Sequence, residues 1–530
     1  MNPQDWIRDH WRSFAVKIQA MKLLTNQDLI DAGYEPGPVF KQLHAHIAGY
    51  EAKGITDPKY AMKLLQRDCG KPVSRLKRHA EPIPFSEAIS PANAEEEKNV
   101  ENVRKQMRAL LRTPVLSAGV ILPDACPVGA QEAVIPVGAA VVAENAIIPS
   151  AHSADICCSM WATFYEKRSS LASELDDLVS VTNFGPIPRA HADAVEDAVT
   201  GEDVWENPFL KGLENRARMH MADQGDGNHF AYIGEMEVKP DFLAVLRLTG
   251  HTDLAESLVA SVGKTLRVLV THHGSRSIGA HLYKRGQNAA EKHTAKVAEG
   301  IPKASAWLDA RSDTGGDYWH ALQYISRWTK ANHRAIHRRF VEKIGGSAVA
   351  ELGNEHNFVW KRGDHFHHGK GATPAWKDEA GRPKLGLIPL NMAEPILLVL
   401  GADNGDFLSF APHGAGRNMS RTALMRKFPE EKDRERQLAE STDGIDVRWF
   451  SGVPDLSETP VAYKNAAEVK RQITDFGLAE VIAEIRPLGC VMAGHIDQPW
   501  RSRKEVLSPK QLRQIEHRAE RRKVRRELGD

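Results

Sequence analysis

Apolar residues recur at helical spacing from about residue 5 to 70, through Trp6, Ile7, Trp11, Phe14, Ile18, Met21 and Leu24, and predict a small helical module. Thr25 followed by Asp28 has the form of a capping box that opens a further helix. Proline, arginine and lysine crowd Pro72 to about Pro91, which predicts a linker leading to a charged helix from about Ala92 to Arg112. Two β-rich runs follow, Val115 to Leu122 and Ala133 to Val142, joined by Pro123-Asp-Ala-Cys-Pro-Val-Gly. Ile156 to Tyr165 predicts an extended apolar segment, Leu266 to Thr271 a strand, and the residues beyond His413 a helix running through Ala423 and Met425. Apolar strands alternate with helices up to about residue 495, without an internal repeat. Helical spacing returns through Leu512, Ile515 and Ala519. This order predicts an α+β or mixed α/β fold rather than a regular βαβ array. The expected organisation is a helical accessory module (1–80), a linker and charged helix (81–112), a large mixed α/β domain (113–500) and a basic helical tail (501–530).

A chain of 530 residues exceeds the usual single core, so more than one unit is expected, and 42% hydrophobic residues suffice for real cores. The net charge of +1 says nothing about nucleic acid; local charge must decide. Residues Arg501 to Asp530 hold eleven Lys or Arg against five acids, a face suited to phosphate-backbone contact or simply to solvent. Five cysteines, without the spacing of a disulfide framework, fit a reducing compartment. The start, Met1-Asn-Pro-Gln-Asp, has no basic and apolar leader, and no run approaches the roughly 18 apolar residues of a membrane span. A cytoplasmic protein with no membrane partner is expected.

Chemistry concentrates first at His152-Ser-Ala-Asp-Ile-Cys-Cys-Ser-Met, which sets Asp155, Cys157 and Cys158 within four positions. In an extended segment the two thiols face opposite ways, so one at most enters a given site. Asp155 and one thiolate suit a divalent ion, the thiolate bridging two; alternatively both cysteines are small buried apolar residues. Four more segments end an apolar run in a short polar or glycine-rich motif. They are Gly225-Asp-Gly-Asn-His-Phe with Asn228 and His229, His272-His-Gly-Ser-Arg with Arg276, Leu352-Gly-Asn-Glu-His-Asn with His356, and His413-Gly-Ala-Gly-Arg-Asn-Met-Ser-Arg. One such histidine reads as structural, whereas five segments of one design read as a site. Imidazole and thiolate suit Mn, Fe, Co or Zn. Gly414-Ala415-Gly416-Arg417 before a helix suits phosphate, through free amides and a planar charged fork. Beside His413 it suggests phosphoryl or nucleotidyl chemistry. Gly363 to Lys370, with His365, His367 and His368, reads as a solvated loop or as a further metal or phosphate contact.

The ordered set Pro123-Asp, Ile135-Pro-Val-Gly, Asp155-Ile-Cys-Cys, Gly227-Asn-His-Phe, His272-His-Gly-Ser-Arg, His356-Asn, Gly369-Lys-Gly-Ala-Thr, His413-Gly-Ala-Gly-Arg-Asn-Met-Ser-Arg and Ala462-Tyr-Lys resembles the RtcB family of RNA ligases, from about residue 113 to 495. The resemblance implies a GTP- and Mn-dependent ligase that joins an RNA 3'-phosphate or 2',3'-cyclic phosphate to a 5'-hydroxyl, in RNA repair or tRNA splicing. It implies two Mn ions per subunit bridged by Cys158, one also held by Asp155 and His229, the other by His272 and His356, with Cys157 structural. It implies that His413 attacks the α-phosphate of GTP, carries GMP as a phosphoramidate and passes it to the RNA 3'-phosphate. Asn228, Gly414, Ala415, Gly416, Arg417 and Tyr463 would hold the nucleotide, and Arg276 and Lys370 the substrate phosphate. The implied partners are a nucleoside triphosphate and RNA with broken ends, tRNA among them.

The sequence departs from the family pattern on the nucleotide side. A guanine-reading glutamate is replaced by Tyr232, a nucleotide-contacting lysine by Met492, Pro-Gly-Ser-Met-Gly by Pro389-Leu-Asn-Met-Ala, and a histidine by Cys126. These changes point to a divergent branch that keeps nucleotidyl transfer and puts guanine preference in doubt. Two alternatives stand beside the ligase: a metal-dependent phosphohydrolase or cyclic phosphodiesterase on RNA ends, and a non-catalytic RNA-binding protein. Leu23 to Phe40, with the helix after it and Gly54-Ile-Thr-Asp-Pro, resembles the C-terminal helical region of bacterial CCA-adding and poly(A) polymerase enzymes. That implies an RNA-contacting accessory; a packing module without a ligand is the alternative.

Overall fold

A computed structural model describes residues 22–34, 36–70, 75–129 and 131–495. The helix expected through Trp6 to Met21 and the basic tail lie outside the described residues. The chain divides into two compact units, one reaching Arg78 and including Ala295–Gly300, the other holding the remainder.

In the smaller unit, the Thr25 hydroxyl accepts from the Asp28 amide at 3.2 Å while the Asp28 carboxylate accepts from the Thr25 amide at 2.7 Å, closing the capping box of helix Asn26–Asp31. Helices Pro38–Ala52 and Pro58–Cys69 follow, each with proline in its first turn, where the missing N–H costs nothing. Leu24, Leu29, Leu43, Ile47 and Leu65 bury between them. Strand Leu76–Lys77 pairs in parallel with Ala298–Glu299.

The rest of the expected linker is packed rather than free. Ser86–Glu87 runs parallel to Val120 and Ile121, and the amide of buried Ala88 donates to the Ile121 carbonyl at 2.8 Å. The charged helix spans Ala94–Leu110, capped by Asn93, and buries Val100, Val103, Met107 and Leu110. Its charged positions therefore cover one apolar face.

The larger unit is built on an eight-stranded sheet. Seven strands follow in the order Ala348–Glu355, Ser159–Tyr165, Thr265–His273, Phe230–Glu237, Ala479–Met492, Ile396–Gly401 and Leu385–Ile388, each antiparallel to the next. Asp446–Trp449 adds in parallel to Ala479–Met492. Alternation gives the sheet two different faces. Met160, Ala162, Phe164, Val268 and Val270 share an apolar face with Phe242 and Leu246 of helix Pro240–Leu248. The opposite face carries Ser159, Thr163, Thr271 and His273, covered by the 31-residue helix Asp313–Lys343. Buried polar groups need partners, and this helix supplies them. Thr271 Oγ1 lies 2.6 Å from His333 Nδ1 and 2.8 Å from His337 Nε2, and His337 Nδ1 lies 2.7 Å from Thr163 Oγ1.

A second sheet orders Phe358–Arg362, His365–Lys370, Val137–Glu144, Leu116–Cys126 and Ser86–Glu87. It corrects the solvated-loop expectation for Gly363 to Lys370. Gly363, at φ 62°, turns a hairpin, and His365–Lys370 pairs along Val137–Glu144. His368 is fully buried, its Nε2 accepting from the Ile148 amide at 3.0 Å, and burial pushes its pKa down to about 3. The α+β architecture agrees with the order of elements in the sequence.

Candidate active site and metal centre

Four neighbouring strands of the large sheet present their ends along one edge. His356 follows Ala348–Glu355, Cys158 precedes Ser159–Tyr165, His272 closes Thr265–His273, and His229 precedes Phe230–Glu237. Antiparallel pairing thus brings together residues that lie up to 198 positions apart in the sequence. Asp155 reaches the same edge through a turn, in which the Cys158 amide donates to the Asp155 carbonyl at 3.3 Å. Here the expectation of an extended run from Ile156 fails: Cys157 has φ 57° and the strand begins only at Ser159. The left-handed residue separates the two thiols, leaving Cys157 in the apolar core and Cys158 at the edge.

The donor atoms form two overlapping groups, Cys158 with His272 and His356, and Cys158 with Asp155 and His229. Cys158 Sγ lies 3.1 Å from His272 Nε2 and 3.6 Å from His229 Nε2. His272 Nε2 lies 3.1 Å from His356 Nε2, and His229 Nε2 lies 2.8 Å from an Asp155 carboxylate oxygen. Burial, with the His229 and His413 charges behind it, holds His272 down to about 3, and His356 is likewise held well below the usual histidine range. Both are neutral imidazoles with lone pairs to offer. Burial and the Asp155 charge keep the Cys158 thiol protonated when no cation is bound. A soft thiol shared between carboxylate and imidazole donors fits transition-metal cations, whose charge would displace the thiol proton.

His413 stands against this centre, its ring 4.8 Å from that of His356. It follows the short strand Phe410–Pro412, and its Nδ1 lies 2.6 Å from a carboxylate oxygen of Asp124, which is fully buried. The bond leaves Nε2 as the unencumbered ring nitrogen. Asp124 belongs to strand Leu116–Cys126 where the register against Val137–Glu144 breaks between Ile121 and Cys126. Such a bulge re-aims a side chain out of the ladder. Gly416, at φ 74°, lets the glycine loop pass Asp124, since a Cβ there would lie 2.0 Å from the Asp124 carbonyl oxygen. Asp124 belongs to the motif Pro123-Asp but has no role in the site expected from the sequence, because its approach to His413 rests on a register break that the sequence does not display.

A cavity of about 290 Å³ opens beside His413. His272 and Phe230, their rings 5.3 Å apart, line it with Asn228 and Asn357, and so do Lys370, Gly414 to Arg417, Leu390, Met392, Met492 and Tyr463. Burial pushes the Lys370 ammonium down to about 8, and its Nζ donates to the Ile135 carbonyl at 3.2 Å. Arg417 and Tyr463 are both tied to buried Glu458, Arg417 Nη1 at 3.2 Å and the Tyr463 hydroxyl at 2.5 Å, with the guanidinium 5.0 Å over the tyrosine ring.

Three expected features are placed differently. Gly414 to Arg417 does not begin a helix; the next helix is Arg421–Lys427, capped by Ser420, so the loop offers amides without a helix terminus behind them. Arg276 does not line the cavity: it is buried against Asp223 and Asp226 and donates to the Gly185 carbonyl at 2.7 Å. Tyr232 is buried in the sheet core, its hydroxyl donating to the Ile485 carbonyl at 2.9 Å, and it too lies off the cavity. Cys126 and Met492 do line it.

The fold and centre define a class: an α+β protein in which a thiol-centred donor set for cations adjoins a histidine fixed by a buried carboxylate. The chain belongs to the RtcB family, described as tRNA-splicing ligase RtcB, whose profile matches residues 193–493. It is 24% identical over 305 residues to tRNA-splicing ligase RtcB of Aeropyrum pernix, covering 52% of this chain and 60% of that protein. Against tRNA-splicing ligase RtcB of Pyrococcus abyssi it is 26% identical over 333 residues, covering 56% and 36%. Against RNA-splicing ligase RtcB of Escherichia coli it is 26% identical over 382 residues, covering 67% and 86%. The chain thus spans less than two thirds of the first two relatives. No helix among the described residues is long and apolar enough to cross a membrane.

Proposed function

We propose that the protein is an RNA ligase that joins RNA 3'-phosphate or 2',3'-cyclic phosphate ends to 5'-hydroxyl ends through a nucleotide carried on His413. The observation that carries this reading is the short bond from His413 Nδ1 to buried Asp124, 2.6 Å, with the ring set beside His356. An aspartate on Nδ1 fixes the tautomer and turns a lone pair outward on Nε2. That nitrogen attacks the α-phosphorus of a nucleoside triphosphate, the bond to the bridging oxygen breaks, and pyrophosphate leaves. A 2',3'-cyclic phosphate is first opened by water to the 3'-phosphate; an oxygen of that phosphate then displaces the histidine and takes the nucleotide, and the 5'-hydroxyl displaces the nucleotide to form the phosphodiester.

Asp155, Cys158, His229, His272 and His356 would hold two divalent cations, Mn(2+) by resemblance, which supply charge neutralisation to the phosphates. Asn228, the Gly414 to Gly416 amides and Lys370 face the same space and are suited to phosphate oxygens. Arg417 and Tyr463 act as a braced wall. Arg276, held by two carboxylates, contributes by fixing the His229 turn rather than by touching phosphate: a Cβ on Gly225 would meet both the Arg276 guanidinium and the His229 ring. RNA, including tRNA, is the proposed partner and the cytoplasm the proposed location.

The test is to incubate the full chain with Mn(2+) and each α-labelled nucleoside triphosphate. The expected result is an acid-labile, base-stable adduct that His413→Ala abolishes. A protein that forms no adduct yet opens 2',3'-cyclic phosphates is the phosphohydrolase instead.

A further inference from the structure

Resting on the two-cation reading of the donor set, one helix stands out for what it touches. Ser326, Lys330 and His333 recur at i, i+4 and i+7 along Asp313–Lys343 and so share a face, with Asn332 at its margin. Lys330 pairs with the Glu355 carboxylate, which also accepts from the Ser326 hydroxyl at 3.4 Å, and Glu355 directly precedes the donor His356. His333 Nε2 lies 3.0 Å from the Ser159 hydroxyl and its Nδ1 2.6 Å from the Thr271 hydroxyl. Ser159 directly follows Cys158, and Thr271 directly precedes His272. The Asn332 amide takes both backbone groups of Asp223, accepting from its N–H at 3.0 Å and donating to its carbonyl at 2.9 Å. Asp223 leads to Gly225, against which the His229 ring packs so closely that a Cβ there would lie 2.9 Å from Nδ1. About two turns of one helix thus hold the segments that carry four of the five donors.

Docking of the helix does not ask for these groups. Tyr324, Ile325, Trp328 and Ile336 of the same helix already pack in the apolar core. A buried neutral hydrogen bond adds only about 1 kcal/mol net to stability, and replacing both partners by apolar groups of the same shape can be nearly neutral. What the bond adds is a fixed length and direction. Cation donors need that, because their distances must hold to within about 0.2 Å, and groups behind the ligands commonly change affinity about 10- to 100-fold. We propose that the face formed by Ser326, Lys330, Asn332 and His333 is a positioning template for the cation centre, setting the spacing of Cys158, His229, His272 and His356 across four separate segments of chain. None of the four template residues lines the cavity beside His413, so they act through the donors and not on nucleotide or RNA.

The test titrates the full, metal-stripped chain with Co(2+), following the thiolate-to-cobalt absorbance that Cys158 would supply, and measures denaturant unfolding of the metal-free protein alongside. His333→Leu leaves neither buried hydroxyl without a partner, because Ser159 also reaches the Cys157 carbonyl at 3.1 Å and Thr271 also reaches His337 Nε2 at 2.8 Å. The variant is expected to unfold cooperatively near the parent's midpoint, and to bind Co(2+) at least about tenfold more weakly with an altered absorbance. Lys330→Met acts at a side chain 42% exposed, so little core packing is lost. It is expected to weaken the Co(2+) equivalent that His356 serves and spare the other, while Lys330→Arg, which keeps the ion pair, binds like the parent. Parent-like affinity and absorbance in a folded His333→Leu, or in Lys330→Met, overturn the template; if His333→Leu does not fold, Lys330→Met decides. A parent chain that binds no Co(2+) overturns the two-cation reading itself, a result distinct from variants that bind as the parent does.

Discussion

Asp124→Asn isolates the carboxylate behind His413, the proposed nucleophile. The His413 ring and backbone N–H both point at one Asp124 oxygen, at 2.6 and 3.3 Å. The other oxygen is buried without a hydrogen-bond partner. In asparagine the carbonyl oxygen would take the first position, because two donors already face it, and the amide nitrogen the second. The imidazole tautomer is then preserved and only the charge is lost. A hydrogen bond to a buried charged group contributes about 1.5–3 kcal/mol against about 1 kcal/mol for a neutral one. As positive charge grows on the ring during attack, the difference of about 0.5–2 kcal/mol should slow His413 loading roughly 2- to 30-fold. Lys464 feels the same change: burial depresses its ammonium and Asp124 partly offsets this, so the variant's lysine loses its proton more readily. The assay is single-turnover labelling of the full chain at saturating nucleotide and Mn(2+), with metal content measured in parallel. Loading as fast as the parent's, at equal metal content, would refute the role given to Asp124.

Because both donor groups share Cys158, Cys158→Ala should lose all specifically bound metal, whereas His229→Ala and His356→Ala should each lose about one equivalent; elemental analysis decides, and full retention in Cys158→Ala sinks the bridge. Lys370 carries its proton below about 8 and sheds it above, so triphosphate affinity should be full at pH 7 and fall as pH rises past 8, while Lys370→Met should bind more weakly with a flat profile. A parent profile flat between pH 7 and 9 rejects that contact. His337 is held by burial at about 3 against about 6.5 in an unfolded chain, so the folded state binds fewer protons between those values. Its contribution to stability is intact above pH 6.5 and lost as pH falls, by up to about 1.4 kcal/mol per pH unit. Denaturant titrations of His337→Gln should show a shallower loss between pH 6 and 4 than the parent, and equal slopes would count against it.

The legible parts of this molecule are those that local rules dictate. The capping box at Thr25 and Asp28, the hairpin partners after Val115 and the strand ending at His272 and His273 follow from periodicity and side-chain chemistry alone. So does the suspicion that five similarly built segments meet, since each sets a polar motif at one end of a strand. What stayed hidden depends on partners distant in sequence. The histidines of His365–Lys370 look solvated until Val137–Glu144 and Phe358–Arg362 flank them. Arg276 looks free until Asp223 and Asp226 claim it. Tyr232 stands where the family pattern has a guanine-reading glutamate, yet the sheet turns it toward Ile485. A polar residue in isolation advertises its chemistry but not which neighbour will consume it.

The site is assembled from two sheets, and this bears on how it can diverge. Cation donors come from the edge of the large sheet; Asp124 and Lys370 come from strands of the five-stranded sheet. Close passages surround His413 on the side of the five-stranded sheet: a Cβ on Gly138 would fall 2.5 Å from the Ala125 backbone, one on Gly416 2.0 Å from the Asp124 carbonyl oxygen, and one on Gly371 3.1 Å from the His413 ring. Contacts that close leave little room for a side chain, so the placement of His413 against Asp124 is fixed by positions that carry no chemistry. The apolar lining of the cavity is held differently. Phe230, Met392 and Met492 are side-chain contacts on strand ends and a loop, where one residue can replace another of similar volume at little cost. That apolar lining is therefore the part of the proposed centre most open to substitution, and the surroundings of His413 the part most constrained.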